Sequence, residues 1–141
     1  MTRASLLALL AFVALTSIAG GAVMVASASL GTDRVGLPPE MTLPSELLQG
    51  SPFNTYLVPG LLLALVVGGL HVAGFMLLIR HHRRAPFAAA LAGYSILIWI
   101  FVQMVFVPFS VLQAVYFAAG LAELGLLLLL LGLGGSVARN R

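Results

Sequence analysis

Four long apolar runs dictate what this chain can fold into. Ser5 to Leu30, Leu57 to Ile79, Ala88 to Val107 and Val111 to Leu133 hold 26, 23, 20 and 23 residues, and none contains Arg, Lys or Asp. A hydrocarbon core of about 30 Å takes about 20 helical residues to cross. Lipid offers the backbone no hydrogen bonds, so each run must pair its own N–H and C=O groups as a helix. The expected fold is therefore all-α: an integral membrane four-helix bundle in which residues 1–141 form one transmembrane domain. With 61% of residues hydrophobic, only 8% charged and a mean hydropathy of +1.12, too little polar side chain exists to solvate a water-facing surface.

The net charge of +3 and pI near 10.2 invite a nucleic-acid reading, which the positions of the bases exclude. All seven are arginines. Arg3, Arg80, Arg83, Arg84, Arg139 and Arg141 lie at the margins of apolar runs, where basic residues orient helices and meet anionic headgroups. An N-terminus in the cytoplasm places these six inside and only Arg34 outside, so the positive-inside rule predicts an N-in/C-in topology with residues 31–56 as an external loop. His81 and His82 fall in the inner turn and read as solvated headgroup neighbours. The absence of cysteine excludes disulfides, thiol redox chemistry, cysteine-rich zinc sites and a quinone reductase built on a Cys-x-x-Cys pair. Arg3, the first apolar run and Ala26-Ser27-Ala28 also resemble a signal peptide; the run is longer than the usual apolar region of about 7 to 15 residues, so a first span is the expectation.

Polar side chains within a span should turn away from lipid, so their helical phase marks the interior face. At about 100° per residue, Gly60, Ala64, Gly68 and His71 share one face of the second span, Ser95, Trp99 and Gln103 one face of the third, and Gln113, Tyr116, Gly120 and Glu123 one face of the fourth. The first span offers Ala14, Ser17, Gly21 and Ala28, a small-residue surface for close helix approach. Counting from the external boundary at about 1.5 Å per residue puts Gln103 and Gln113 about 6 and 3 Å deep, and His71 and Glu123 about 21 and 18 Å deep. Two pairings follow. Gln103 and Gln113 are expected to hydrogen bond across the Pro108 turn, and His71 is the expected partner of Glu123, the single acid within a span.

That deep pair reads either as a polar contact fixing helix register or as a proton-binding or substrate-binding site, with Trp99 and Tyr116 as neighbouring aromatics. A b-type haem would find one intramembrane histidine per chain, so a bis-histidine site would need a dimer, and no motif supports Met76 or Met104 as a ligand. No cofactor, metal site or catalytic residue is expected. In the external loop, Pro44 to Leu48 reads as a short interfacial helix stopped by Gly50, with Leu47, Leu48 and Phe53 placed to cap the bundle mouth. Pro59-Gly60 should kink or loosen the first turn of the second span.

Ser51-Pro52-Phe53-Asn54-Thr55-Tyr56-Leu57-Val58-Pro59-Gly60, the Trp99 to Gln103 segment and Leu112-Gln113-Ala114-Val115-Tyr116 resemble a group of small four-span bacterial membrane proteins of uncharacterised function. The resemblance covers about half the chain and implies a bacterial inner-membrane location. It supplies no activity and no residue roles. The expected function is that of a non-enzymatic polytopic membrane protein, binding a small ligand or serving as an accessory subunit of a membrane complex. The alternative is a proton-coupled small-molecule transporter acting as an oligomer. The expected partners are the lipid bilayer, an apolar ligand, and a second copy or another membrane protein.

Overall fold

The computed structural model describes residues 1–31, 36, 46, 49 and 52–132. Among them are four long helices and no strand: α1 (Thr2–Leu30), α2 (Leu57–Ile79), α3 (Ala85–Phe106) and α4 (Val111–Leu130), each long and apolar enough to cross a membrane. The segment read as an interfacial helix, Pro44 to Leu48, lies outside the described residues apart from Glu46.

Helix boundaries follow from proline chemistry and capping. The third helix begins at Ala85, three residues before the apolar run, because Pro86 falls in the first turn, where its missing N–H has no intrahelical partner to lose. It ends at Phe106 because Val107 precedes Pro108 and is held extended (φ −119°, ψ 134°). Ser110 then starts α4 with a reciprocal cap: its hydroxyl accepts from the Gln113 N–H, and its own N–H donates to Gln113 Oε1 at 3.0 Å.

Within α2 the winding changes twice. Leu57–Leu61 is α-helical, Leu62–Gly68 is π-helical, and Gly69–Ile79 returns to α. The loosening expected at Pro59-Gly60 thus appears just beyond it. Pro59 is the third helical residue, where an N–H is unpaired in any helix, so it disturbs nothing locally.

The helices form a closed square in which α1 packs on α2, α2 on α3, α3 on α4 and α4 on α1, while the diagonals make little backbone approach. Leu15, Leu65, Ile98, Phe101 and Leu128 point outward as a band of exposed apolar side chains, the arrangement expected of a lipid-facing surface. Small residues set the α1–α2 spacing. A Cβ on Gly21 would lie 2.5 Å from the Gly60 carbonyl oxygen, and one on Gly60 would lie 2.8 Å from the Gly21 oxygen. Ala14, Ser17 and Gly21 are buried, but Ala28 is exposed, because the contact with α2 ends before the last turn of α1.

Two apolar clusters fill the interior. One, at the end carrying Arg3 and Arg80 to Arg84, contains Leu6, Leu10, Leu78, Ala89, Ala92 and Leu127. The other, toward the Pro108 turn, contains Val13, Leu63, Val67, Ile96, Ile100 and Ala119. His71 and Glu123 fall between them along α2 and α4.

At the arginine-rich end, α2 closes in a Schellman motif. The His82 N–H donates to Leu77 O and the His81 N–H to Leu78 O, with His81 in the left-handed position at φ 52° that glycine usually takes. Arg3 crosses from α1 to this cap, donating to Leu78 O and, at 2.8 Å, to His81 Nδ1. A residue read from sequence as juxtamembrane charge is thus also a cap for another helix.

Candidate functional site

The two deepest ionisable groups meet across the square. His71 on α2 and Glu123 on α4 are 0% and 1% exposed, and His71 Nε2 lies 3.2 Å from Glu123 Oε2. These helices are diagonal neighbours, so this side-chain contact spans the centre of the bundle. Each group continues a face marked in the sequence: His71 continues the Gly60–Ala64–Gly68 stripe of small residues, and Glu123 continues the Gln113–Gly120 stripe.

Hydrogen-bond logic constrains the protons. His71 Nδ1 is 2.7 Å from Val67 O, and a carbonyl can only accept, so Nδ1 carries a hydrogen. The Nε2–Oε2 contact then needs one further proton, carried either by Oε2 as a carboxylic acid or by Nε2 as an imidazolium facing a carboxylate. Both placements leave the pair electrically neutral overall, which suits a site with no water-facing side chain. The second carboxyl oxygen, Oε1, is buried without a hydrogen-bond partner. This contact is therefore an incompletely satisfied polar layer between two apolar ones.

The other polar residues read from sequence lie elsewhere. Trp99 is half-buried and, with Ser95 and Gln103, lines a cavity of about 420 Å³ between α1, α2 and α3 at the end nearest the Pro108 turn. Tyr116 stacks on Phe12 of α1, with ring centroids 5.9 Å apart at 17°. Neither aromatic hydrogen bonds to the His71–Glu123 pair. Gln103 and Gln113 share no hydrogen bond among the described residues: the Gln113 amide oxygen is taken by the Ser110 cap, and Gln103 faces the cavity. The cross-hairpin tie expected from depth is replaced by a local cap, because Gln113 stands at the third position of α4, where a side chain reaches back to its own N-cap.

The cavity is almost wholly apolar. Met24, Phe53, Val66, Val67 and Phe106 supply much of its wall, and among the described residues no arginine, aspartate or glutamate lines it. Phe53, expected at the bundle mouth, is among the lining residues; Leu47 and Leu48 lie outside the described residues. The few polar groups differ in availability. Ser95 Oγ already donates to Ala92 O at 2.7 Å. The Gln103 amide and the Trp99 indole N–H make no hydrogen bond among the described residues, so both are open to a guest. Burial pushes the Tyr56 hydroxyl above its ordinary pKa of 10.0, so it meets the cavity as a neutral phenol. Sequence phase placed Ser95, Trp99 and Gln103 on one face but did not distinguish a core face from a cavity wall.

Among the described residues, no group of three or more His, Cys, Asp or Glu side chains is placed to hold a metal. No family model, curated protein or solved structure matches the chain.

Proposed function

We propose that this multi-pass membrane protein is a non-enzymatic binder of a small, neutral, largely apolar molecule, held in the cavity between α1, α2 and α3. The supporting observation is the cavity itself. Its volume of about 420 Å³ lies in the range of about 300 to 1,000 Å³ usual for ligand sites, and it combines an apolar wall with two polar groups open to a guest. A charged headgroup would find no counter-ion among the described residues there, whereas one carbonyl or hydroxyl oxygen on an apolar body would find the Trp99 N–H and the Gln103 amide. We place the protein in a bacterial inner membrane, as its resemblance to small four-span bacterial membrane proteins implies, with both termini and the 80–84 turn in the cytoplasm on the strength of the six-to-one arginine split. The cavity then lies in the outer half of the bilayer. Because the chain lacks native cysteine, cysteine introduced at His82 tests this orientation: labelling from outside intact cells rejects it.

Trp99 is the single tryptophan, so it reports directly on the cavity. Purified full-length protein in nanodiscs is titrated with 1-N-phenylnaphthylamine, a neutral apolar fluorophore, and energy transfer from Trp99 is recorded. The expected result is saturable binding, weakened by about fivefold or more when Ser95→Phe fills the cavity, which corresponds to about 1 kcal/mol. Transfer that rises without saturation and ignores Ser95→Phe rejects the reading.

The buried His71–Glu123 pair supports a second reading, a proton-coupled transporter acting as an oligomer, since intramembrane ionisable groups often mark proton paths. Uptake into proteoliposomes driven by an imposed pH gradient, and lost in Glu123→Gln, is the outcome that reading requires.

A further inference from the structure

We propose that filling the cavity and protonating the His71–Glu123 pair are linked through Val67, so that binding a neutral guest draws a proton into the bundle centre. The inference rests on the cavity reading above and assigns the buried pair a role in it. Val67 belongs to both sites. Its side chain lines the cavity, and its carbonyl oxygen accepts from His71 Nδ1 at 2.7 Å. It also lies in the π-helical stretch Leu62–Gly68, together with the cavity residues Leu62 and Val66. Single π-helical turns inside α-helices recur at functional sites.

The direction of the linkage follows from the hydrogen bonds. A guest packed against Val67 holds the π-helical stretch in its present winding and keeps Val67 O engaged with His71 Nδ1–H. With that hydrogen fixed on Nδ1, Nε2 can meet Glu123 Oε2 only if the contact holds a further proton. When Val67 O withdraws, Nδ1 is released; the neutral ring can then carry its hydrogen on Nε2 and donate to the carboxylate, with one proton fewer in the pair. Occupancy of the cavity therefore raises the affinity of the pair for that proton, and by reciprocity the protonated pair binds the guest more tightly.

The packed elements hold few competing groups. In α1 the single ionisable side chain is Arg3, at the far end, where it bonds Leu78 O and His81. In α3 the single ionisable side chain is Tyr94, which is exposed. In α4 it is Tyr116, stacked on Phe12, besides Glu123 itself. Tyr56 lines the cavity but has its pKa raised above 10.0, outside the range tested. Arg80, His81, His82, Arg83 and Arg84 are exposed beyond the Leu78 end of α2.

The test uses full-length protein in nanodiscs and 1-N-phenylnaphthylamine. Two quantities are read: probe affinity between about pH 5 and about pH 8, and proton uptake on probe addition, followed with an indicator dye in weak buffer. Wild-type affinity is expected to fall by about fivefold as pH rises, with net proton uptake on binding. Glu123→Gln presents an amide N–H to Nε2 in place of the acidic proton, so it should bind at the tight, low-pH affinity at every pH and take up no proton. Val67→Ala keeps the carbonyl but removes the side chain that meets the guest; it should bind the probe with a flattened pH profile. Saturable wild-type binding with no pH dependence and no proton uptake overturns the linkage and leaves the cavity reading standing. Absence of saturable binding in every form overturns both.

Discussion

Gly21 of α1 and Gly60 of α2 approach so closely that each occupies the space where the other would carry a side chain. A Cβ built on Gly21 meets the Gly60 oxygen at 2.5 Å and the Ala64 nitrogen at 2.8 Å, atoms of a helix backbone that cannot rotate aside. Gly21→Ala must therefore push α1 and α2 apart, as must Gly60→Ala. Overpacking of this kind costs about 1 to 3 kcal/mol. Gly125→Ala is the control, because nothing lies within 4 Å of the place its methyl group would take; alanine there should be neutral or stabilising by up to about 1 kcal/mol through helix propensity. Thermal unfolding in detergent of the three variants checks the order, and Gly21→Ala matching Gly125→Ala would refute the close approach.

The contact between His71 and Glu123 predicts non-additive mutation. Glu123→Leu strands the imidazole Nε2, and His71→Leu strands the carboxyl Oε2, each in a site with no replacement partner. The double change removes both. Its destabilisation should be smaller than the sum of the single losses, with a coupling on the order of 0.6 kcal/mol and at most about 1.7 kcal/mol, the span measured for hydrogen bonds in membrane bundles. Additive losses in a double-mutant cycle would show that the two side chains do not act together.

The cap joining Arg3, Leu78 and His81 predicts opposite effects at one position. A non-glycine residue in the left-handed region costs roughly 1 to 2 kcal/mol, which His81 bears at φ 52° while its Nδ1 accepts from Arg3. His81→Ala keeps the backbone cost and loses the acceptor, so it should unfold at a lower temperature than wild type. His81→Gly loses the same acceptor but relieves the backbone, and should be the more stable of the two variants. The comparison repeated in an Arg3→Ala background should leave the glycine advantage intact while the loss from His81→Ala shrinks; an unchanged loss would sever Arg3 from the cap.

Where polar or small residues punctuate an apolar run, sequence periodicity located the interior well. Gly60, Gly68 and His71 on α2, and Gln113, Gly120 and Glu123 on α4, are all buried. The same rule misreads α3. Its buried face is Ala85, Ala88, Ala89, Ala92, Gly93, Ile96 and Ile100, which pack closely because they are small or aliphatic and carry no polar marker. Ser95, Trp99 and Gln103 sit on its shoulder, where a polar side chain is sheltered by a cavity instead of a helix. Two features had no legible signal. The π-helical stretch of α2 contains only leucine, alanine, valine and glycine, residues that favour no particular winding. The reach of Arg3 to the end of α2 depends on how α1 lies against its neighbour, which composition at the end of a span does not encode.

The polar layer between the two apolar clusters also limits how the bundle can move. Leucine, valine and alanine surfaces are nearly interchangeable from one helical turn to the next, so an all-apolar α4 would find comparable resting places after sliding by about 5.4 Å. Glu123 singles out one of those places: a one-turn slide to the level of Leu127 would carry the carboxyl group among side chains that offer no hydrogen bond, and a slide in either direction would abandon His71. Piston motion of α4 is thereby blocked in both directions. The pair thus acts as a pin that sets the height of α4 against α2, across a diagonal where backbone packing supplies little register of its own.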